Sequence, residues 1–132
     1  MRHPSFLVLN VLIVLLFISS GCETAPSKEE LLHGTWQITH LDGKEVETKE
    51  GLQFAPNKQY FLVDSQGKSV PRLIEKTWQI KADSLILVDH NWEPDFIEKH
   101  GTLVYLIEEL KDDYLRLKLV NQLAPTTIEY KK

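Results

Sequence analysis

From Thr35 to the C-terminus, apolar and polar residues trade places with a period of two, and this restricts the fold more than any other feature. Trp36, Ile38 and His40 alternate with Thr35, Gln37 and Thr39, and Leu115, Leu117 and Leu119 alternate with Tyr114, Arg116 and Lys118. Successive side chains of a strand point to opposite faces, so each stretch offers one face to a core and one to water. Further strands are predicted near 51–55, 59–64, 72–80, 84–89, 102–110 and 125–131, which makes eight. No helix-period segment of useful length intervenes, which argues against parallel βαβ units. Three connections are tight: Pro56-Asn57-Lys58, 81–83 and 111–113. Four are longer, at 42–50, 65–71, 90–101 and 121–124, and they alternate with the tight ones. In an up-and-down meander, alternate connections fall at the same end of the sheet. The pattern therefore predicts an all-β fold: a small eight-stranded up-and-down antiparallel β-barrel, closed by tight turns at one end and elaborated at the other.

Ahead of the first strand, Ser27 and Glu30 have the spacing of a capping box and Gly34 fits a helix stop. One short N-terminal helix is predicted over 28–33, at the closed end, because it precedes the first strand. The tetrapeptide Thr-Trp-Gln-Ile occurs at 35–38 and again at 77–80. A duplicated four-strand half would carry the second copy on the fifth strand, yet it lies on the fourth, which runs antiparallel to the first. The flanking residues differ as well. Convergence is the better reading: Trp36 opens the first strand, Trp78 finishes the fourth, and both plug the barrel floor.

The N-terminus reads as an export signal. Arg2 precedes the apolar stretch Phe6 to Ile18, which is broken only by Asn10. That stretch is too short to cross a bilayer, which needs about 20 apolar residues. Ile18-Ser19-Ser20-Gly21-Cys22 resembles the lipobox of bacterial lipoproteins, with Ser19 where that family usually has Leu. The resemblance implies cleavage before Cys22 and acylation of its thiol; the alternative is an ordinary secretory signal with a spare thiol. The chain divides into a signal peptide (1–21), a lipidated tether (22–27) and the barrel domain (28–132). The expected location is the bacterial cell envelope, anchored through acyl chains to the outer membrane on its periplasmic or surface face. Glu29 and Glu30 lie rather far from Cys22 for a surface-display signal and fit helix capping better.

Net charge is −4 over the 132 residues, and the leader carries a single cation, so the remainder is near −5. Such a balance argues against nucleic acid, which wants a clustered basic surface. Cys22 is the only cysteine, so no disulfide forms within the chain and the core must hold the fold.

The order helix, Gly34-Thr35-Trp36, then meandering strands is similar to the lipocalin pattern, where a Gly-x-Trp at the start of the first strand closes the barrel floor. Leu31 to Ile38 with Asp42-Gly43-Lys44, and the hairpin Thr77 to Leu87, look like the small bacterial lipocalin-like lipoproteins. The likeness covers nearly all of 28–131 and implies a barrel that holds a small apolar or amphipathic ligand. Lipocalins carry a C-terminal helix, whereas this chain stops at Lys132, straight after its last predicted strand.

Two places are candidates for contact with a ligand. His40 shares parity with Trp36 and Ile38 and is expected to point inward near the open mouth. The loop Asp89 to His100 is the longest connection, and long loops on rigid scaffolds tend to carry binding. Trp92 and Phe96 are its candidate lid residues. His90, Glu93, Asp95 and His100 match no metal-ligand template, so no metal is expected. Strands 60–63, 85–88 and 103–107 are apolar on both faces, and the surplus either lies under that loop or forms a patch for a partner. No nucleophile elbow or phosphate-cradling glycine loop occurs, so neither an enzyme nor a cofactor is expected. Two functions remain open: a ligand-binding barrel, or a filled barrel that docks another envelope protein.

Overall fold

The computed structural model describes residues 25–70, 75–90 and 101–132. Helix α1 spans Lys28–Leu32. Among the described residues nine strands follow: β1 (Gly34–Leu41), β2 (Lys44–Glu45), β3 (Gly51–Phe54), β4 (Tyr60–Val63), β5 (Lys76–Lys81), β6 (Ser84–Asp89), β7 (Thr102–Leu110), β8 (Tyr114–Leu119) and β9 (Thr126–Lys131). They form one antiparallel sheet in the order β4-β3-β1-β9-β8-β7-β6-β5, with β2 folded back onto β1. The first and last strands pair, Gln37 to Leu41 against Ile128 to Lys131. Where the path ends, β4 and β5 are joined by the bridge between Gln59 and Thr77 and by the Trp78 amide donating to the Lys58 carbonyl at 2.8 Å. The result is a nearly closed eight-strand antiparallel barrel, as predicted, whose seam lies in mid-chain.

Strand β2 is an addition to the predicted eight. It forms because Asp42 and Gly43, at φ +49° and +79°, make a two-residue hairpin turn whose twist matches that of the flanking strands. Part of the 42–50 connection is thus hairpin rather than open loop. The predicted start of the fourth strand, at 72, falls outside the described residues.

Helix α1 is tied to the β3–β4 and β5–β6 turns. Its first turn is capped by the Ser27 hydroxyl, which accepts from the Glu30 amide at 3.2 Å. Lys28 reaches the Ala82 carbonyl and the Asp83 carboxylate in the β5–β6 turn, and that ammonium lowers the Asp83 pKa. Glu29 pairs with Lys58 in the β3–β4 turn. Lys132 donates to the Leu31 carbonyl at 3.0 Å and stands 4.8 Å over the Trp36 ring. Exposed ion pairs of this kind are screened by solvent and contribute little, so they orient the helix more than they stabilise it. The stronger anchor is apolar: Leu32 and Trp36 are both fully buried.

The two Thr-Trp-Gln-Ile segments solve one problem with different partners. A buried indole must place its N–H on an acceptor. Trp36 Nε1 donates to the Leu32 carbonyl at 2.8 Å, stapling the helix to β1. Trp78 Nε1 donates to the Ala55 carbonyl at 3.1 Å; its ring meets Phe54 edge-on at 5.7 Å and carries the Lys58 ammonium at 4.4 Å. Trp78 therefore stitches the seam between β4 and β5. Leu32, Trp36, Phe54, Trp78, Leu85 and Leu115 together fill the barrel at the helix end.

Candidate functional site

Beyond that filled layer the barrel is hollow. A cavity of about 570 Å³ is lined by apolar side chains from six strands: Ile38, Leu52, Leu62, Leu87, Leu103 and Ile128. Its size lies within the range of small-molecule sites, roughly 300–1,000 Å³. At liquid density it would hold on the order of 19 waters, far more than a packing defect. The cavity reaches solvent beside β4, where Leu62 and Val70 line it and yet are 44% and 42% exposed. Leu62 pairs directly with Leu52 of β3, so its side chain belongs to the inward face even though half of it is wet.

Three tyrosines line the same space: Tyr60, Tyr105 and Tyr130. Burial pushes the Tyr130 phenol far above its usual pKa, and a charge on nearby Tyr105 would raise it further. Tyr105 is likewise raised by burial. Both phenols are therefore neutral donors at ordinary pH. Neither has a hydrogen-bond partner among the described residues. Lys76 and Asp89 face each other across the β5–β6 ladder and also line the cavity, their charged atoms 3.4 Å apart. The Lys76 ammonium lies 5.9 Å over the Tyr60 ring. Sequence reasoning passed over this pair, although the signal was available. Lys76 continues the parity of Trp78, and Asp89 that of Leu85 and Leu87, so both strands bring a charge inward at their far ends.

His40 is not part of the cavity, and the expectation of an inward ring is corrected. The β1–β9 ladder slips between Ile38 and His40: Ile38 pairs with Tyr130, His40 with Glu129 and Leu41 with Ile128. The extra residue is Thr39, whose hydroxyl donates to the Glu129 carbonyl at 3.2 Å. A bulge of this kind puts the following side chain on the opposite face. His40 consequently lies outside, its Nδ1 2.9 Å from Thr39 Oγ1 and 3.8 Å from the Glu129 carboxylate. That carboxylate also accepts from the Tyr114 hydroxyl on the same outer face.

The remaining candidates are divided. Cys22, Trp92, Phe96, Glu93, Asp95 and His100 lie outside the described residues. His90 sits beside β5, its Nε2 2.9 Å from Thr77 Oγ1. Among the described residues no three His, Cys, Asp or Glu side chains group as a metal site. The surplus apolar side chains of β6 and β7 fall on the outward face, where Leu106 and neighbouring Val120 are exposed.

No protein-family model matches the chain. No curated protein matches it either. Among solved structures, the crystal structure of a lipocalin-like protein from Bacteroides uniformis is similar to it, with a TM-score of 0.54 at 15% identity, over 77% of this chain and 98% of that one. Identity that low speaks to architecture alone: the chain has a lipocalin-like barrel fold.

Proposed function

We propose that this protein is a lipid-anchored lipoprotein of the bacterial envelope that binds a small apolar or amphipathic molecule inside its barrel. The single observation that carries the reading is the hollow half of the barrel, whose wall is largely apolar and which opens to solvent beside Leu62 and Val70. A core built only for stability would be packed to the density of the helix end, because interiors normally leave few voids larger than a water. In this reading Trp36 and Trp78 form the floor, α1 caps it, and the tether from Cys22 enters on that side. The cavity then opens away from the membrane. Trp92 and Phe96 belong to the connection that follows Asp89, a wall residue, which keeps them candidates for contact with the ligand.

Native mass spectrometry of protein released from its own membranes tests this. A co-purifying small molecule is expected on the wild type and not on Leu62→Trp, which fills the space from an already exposed position. Empty wild-type protein that also takes up no added amphiphile would overturn the reading. Separately, replacing Cys22 by Ala should abolish labelling by a palmitate analogue and release the protein from membranes.

A second reading has one observation in its favour, the exposed apolar side chains of Leu106 and Val120 on the outer face of the sheet. They suit docking of another envelope protein. A specific cross-linked partner lost on Leu106→Asp, with the cavity unoccupied, would favour it.

A further inference from the structure

The cavity wall is mixed, and the polar groups on it are unequal. Lys76 is already engaged by Asp89 at 3.4 Å and by the face of Tyr60. Tyr130 is not: its side chain is 2% exposed, it lines the cavity, and its hydroxyl meets no partner among the described residues. An unmatched buried hydroxyl costs about 1–3 kcal/mol, and a phenylalanine in the same place would avoid that cost. Tyr105, 6% exposed and on the same wall, repeats the situation.

We propose, building on the ligand-binding reading above, that the ligand is an uncharged amphiphile whose polar head, a carbonyl or similar acceptor, is buried against the hydroxyls of Tyr130 and Tyr105 while its apolar body lies on Ile38, Leu87 and Leu103. The head enters first and the tail faces the opening. A neutral acceptor takes the phenol hydrogen bonds without bringing a charge into the barrel. A carboxylate head would do otherwise. It would have to be desolvated beside an ammonium that already has its counter-ion, and uncompensated buried charge is costly. Both phenols stay protonated well into alkaline solution, so they remain donors wherever the fold is stable.

The test uses three probes of similar length: 2-nonanone, octane and nonanoate. Each displaces the fluorophore N-phenyl-1-naphthylamine from delipidated wild-type protein and from Tyr130→Phe and Tyr105→Phe, with circular dichroism to show that each variant is folded. For the wild type, 2-nonanone is expected to bind more tightly than octane and than nonanoate. Tyr130→Phe should weaken 2-nonanone by roughly five- to tenfold, the equivalent of one hydrogen bond, and leave octane within twofold. Tyr105→Phe should act in the same direction. Wild-type affinities for 2-nonanone and octane that are equal would mean that water already satisfies the phenols, and would overturn the proposal. So would nonanoate binding most tightly, which places the head at Lys76. In both of those outcomes the cavity still binds amphiphiles and the function proposed above survives. If no probe binds, that function fails along with this proposal.

Discussion

Trp36→Phe is the perturbation that best isolates how the helix end is held. The substitution keeps an aromatic ring in a fully buried position but removes the indole N–H that reaches the Leu32 carbonyl at 2.8 Å. Leu32 is itself fully buried, so the orphaned carbonyl has little access to water. Leaving such a group unpaired costs about 1–3 kcal/mol. The smaller ring adds a void, costing about 1 kcal/mol for some 40 Å³ at the usual cavity coefficient. The total of about 2–4 kcal/mol is a large share of the 5–15 kcal/mol typical of a domain. At about 4–5 °C per kcal/mol for a domain of this length, the melting temperature should fall by roughly 8–20 °C. Trp78→Phe removes a longer bond, 3.1 Å, to an acceptor in the half-exposed β3–β4 connection, where water can substitute. It should cost less, about 1–2 kcal/mol. Urea denaturation followed by far-ultraviolet circular dichroism gives both values. If Trp36→Phe lies within 0.5 kcal/mol of wild type, or if Trp78→Phe is the more damaging, the account of the helix staple is wrong.

Three further outcomes are expected. Gly51→Ala should prevent folding or cost more than about 4 kcal/mol, because a Cβ there would lie 1.7 Å from the Trp36 carbonyl oxygen and force β1 and β3 apart; Gly67→Ala, at φ +79° in a turn where a Cβ would meet only the Gln37 amide nitrogen at an ordinary 3.6 Å, should cost only about 1–2 kcal/mol by thermal melting. Stability should be lost on the alkaline side: Tyr130 has a folded pKa raised above the unfolded value near 10, so its contribution is intact below about pH 10 and falls by about 1.4 kcal/mol per pH unit above it. Urea midpoints measured from about pH 9 to 11.5 should show that slope, and Tyr130→Phe should flatten it. His40→Gln should leave the affinity for 2-nonanone within twofold, because the bulge places that ring on the outer face; a tenfold loss in the displacement assay would put it back in the site.

What the sequence made legible follows the physics of alternation. Period two marked the strands, and the capping pair Ser27 and Glu30 marked the helix that Leu32 anchors. The two indoles were assigned to one end of the barrel; in the structure each puts its N–H on a backbone carbonyl, that of Leu32 for Trp36 and that of Ala55 for Trp78. Alternation could not reveal a bulge, because one inserted residue leaves Trp36, Ile38 and His40 in phase on paper while His40 turns outward in space. The Asp42-Gly43 turn was a readable hairpin signal, hidden by treating 42–50 as a single connection. Lys76 was not among the candidate residues and Asp89 was counted with the long connection that follows it, although the parity of both pointed inward. Tyr60 and Tyr105 entered the sequence reading only as members of apolar strands, and Tyr130 did not enter it. The unmatched hydroxyls of Tyr105 and Tyr130 become visible once the hollow between β1, β7 and β9 is known. The lid proposed at Trp92 and Phe96 lies outside the described residues.

Methyl chemical-shift mapping tests the central claim most directly, by asking where an added amphiphile sits. On titrating delipidated protein with 2-nonanone, the account predicts shifts at Ile38, Leu52, Leu87, Leu103 and Ile128, with Ile86, Leu106 and Val120 unmoved. Shifts confined to Ile86, Leu106 and Val120 would contradict it, since the bound molecule would then lie on the outside of the sheet.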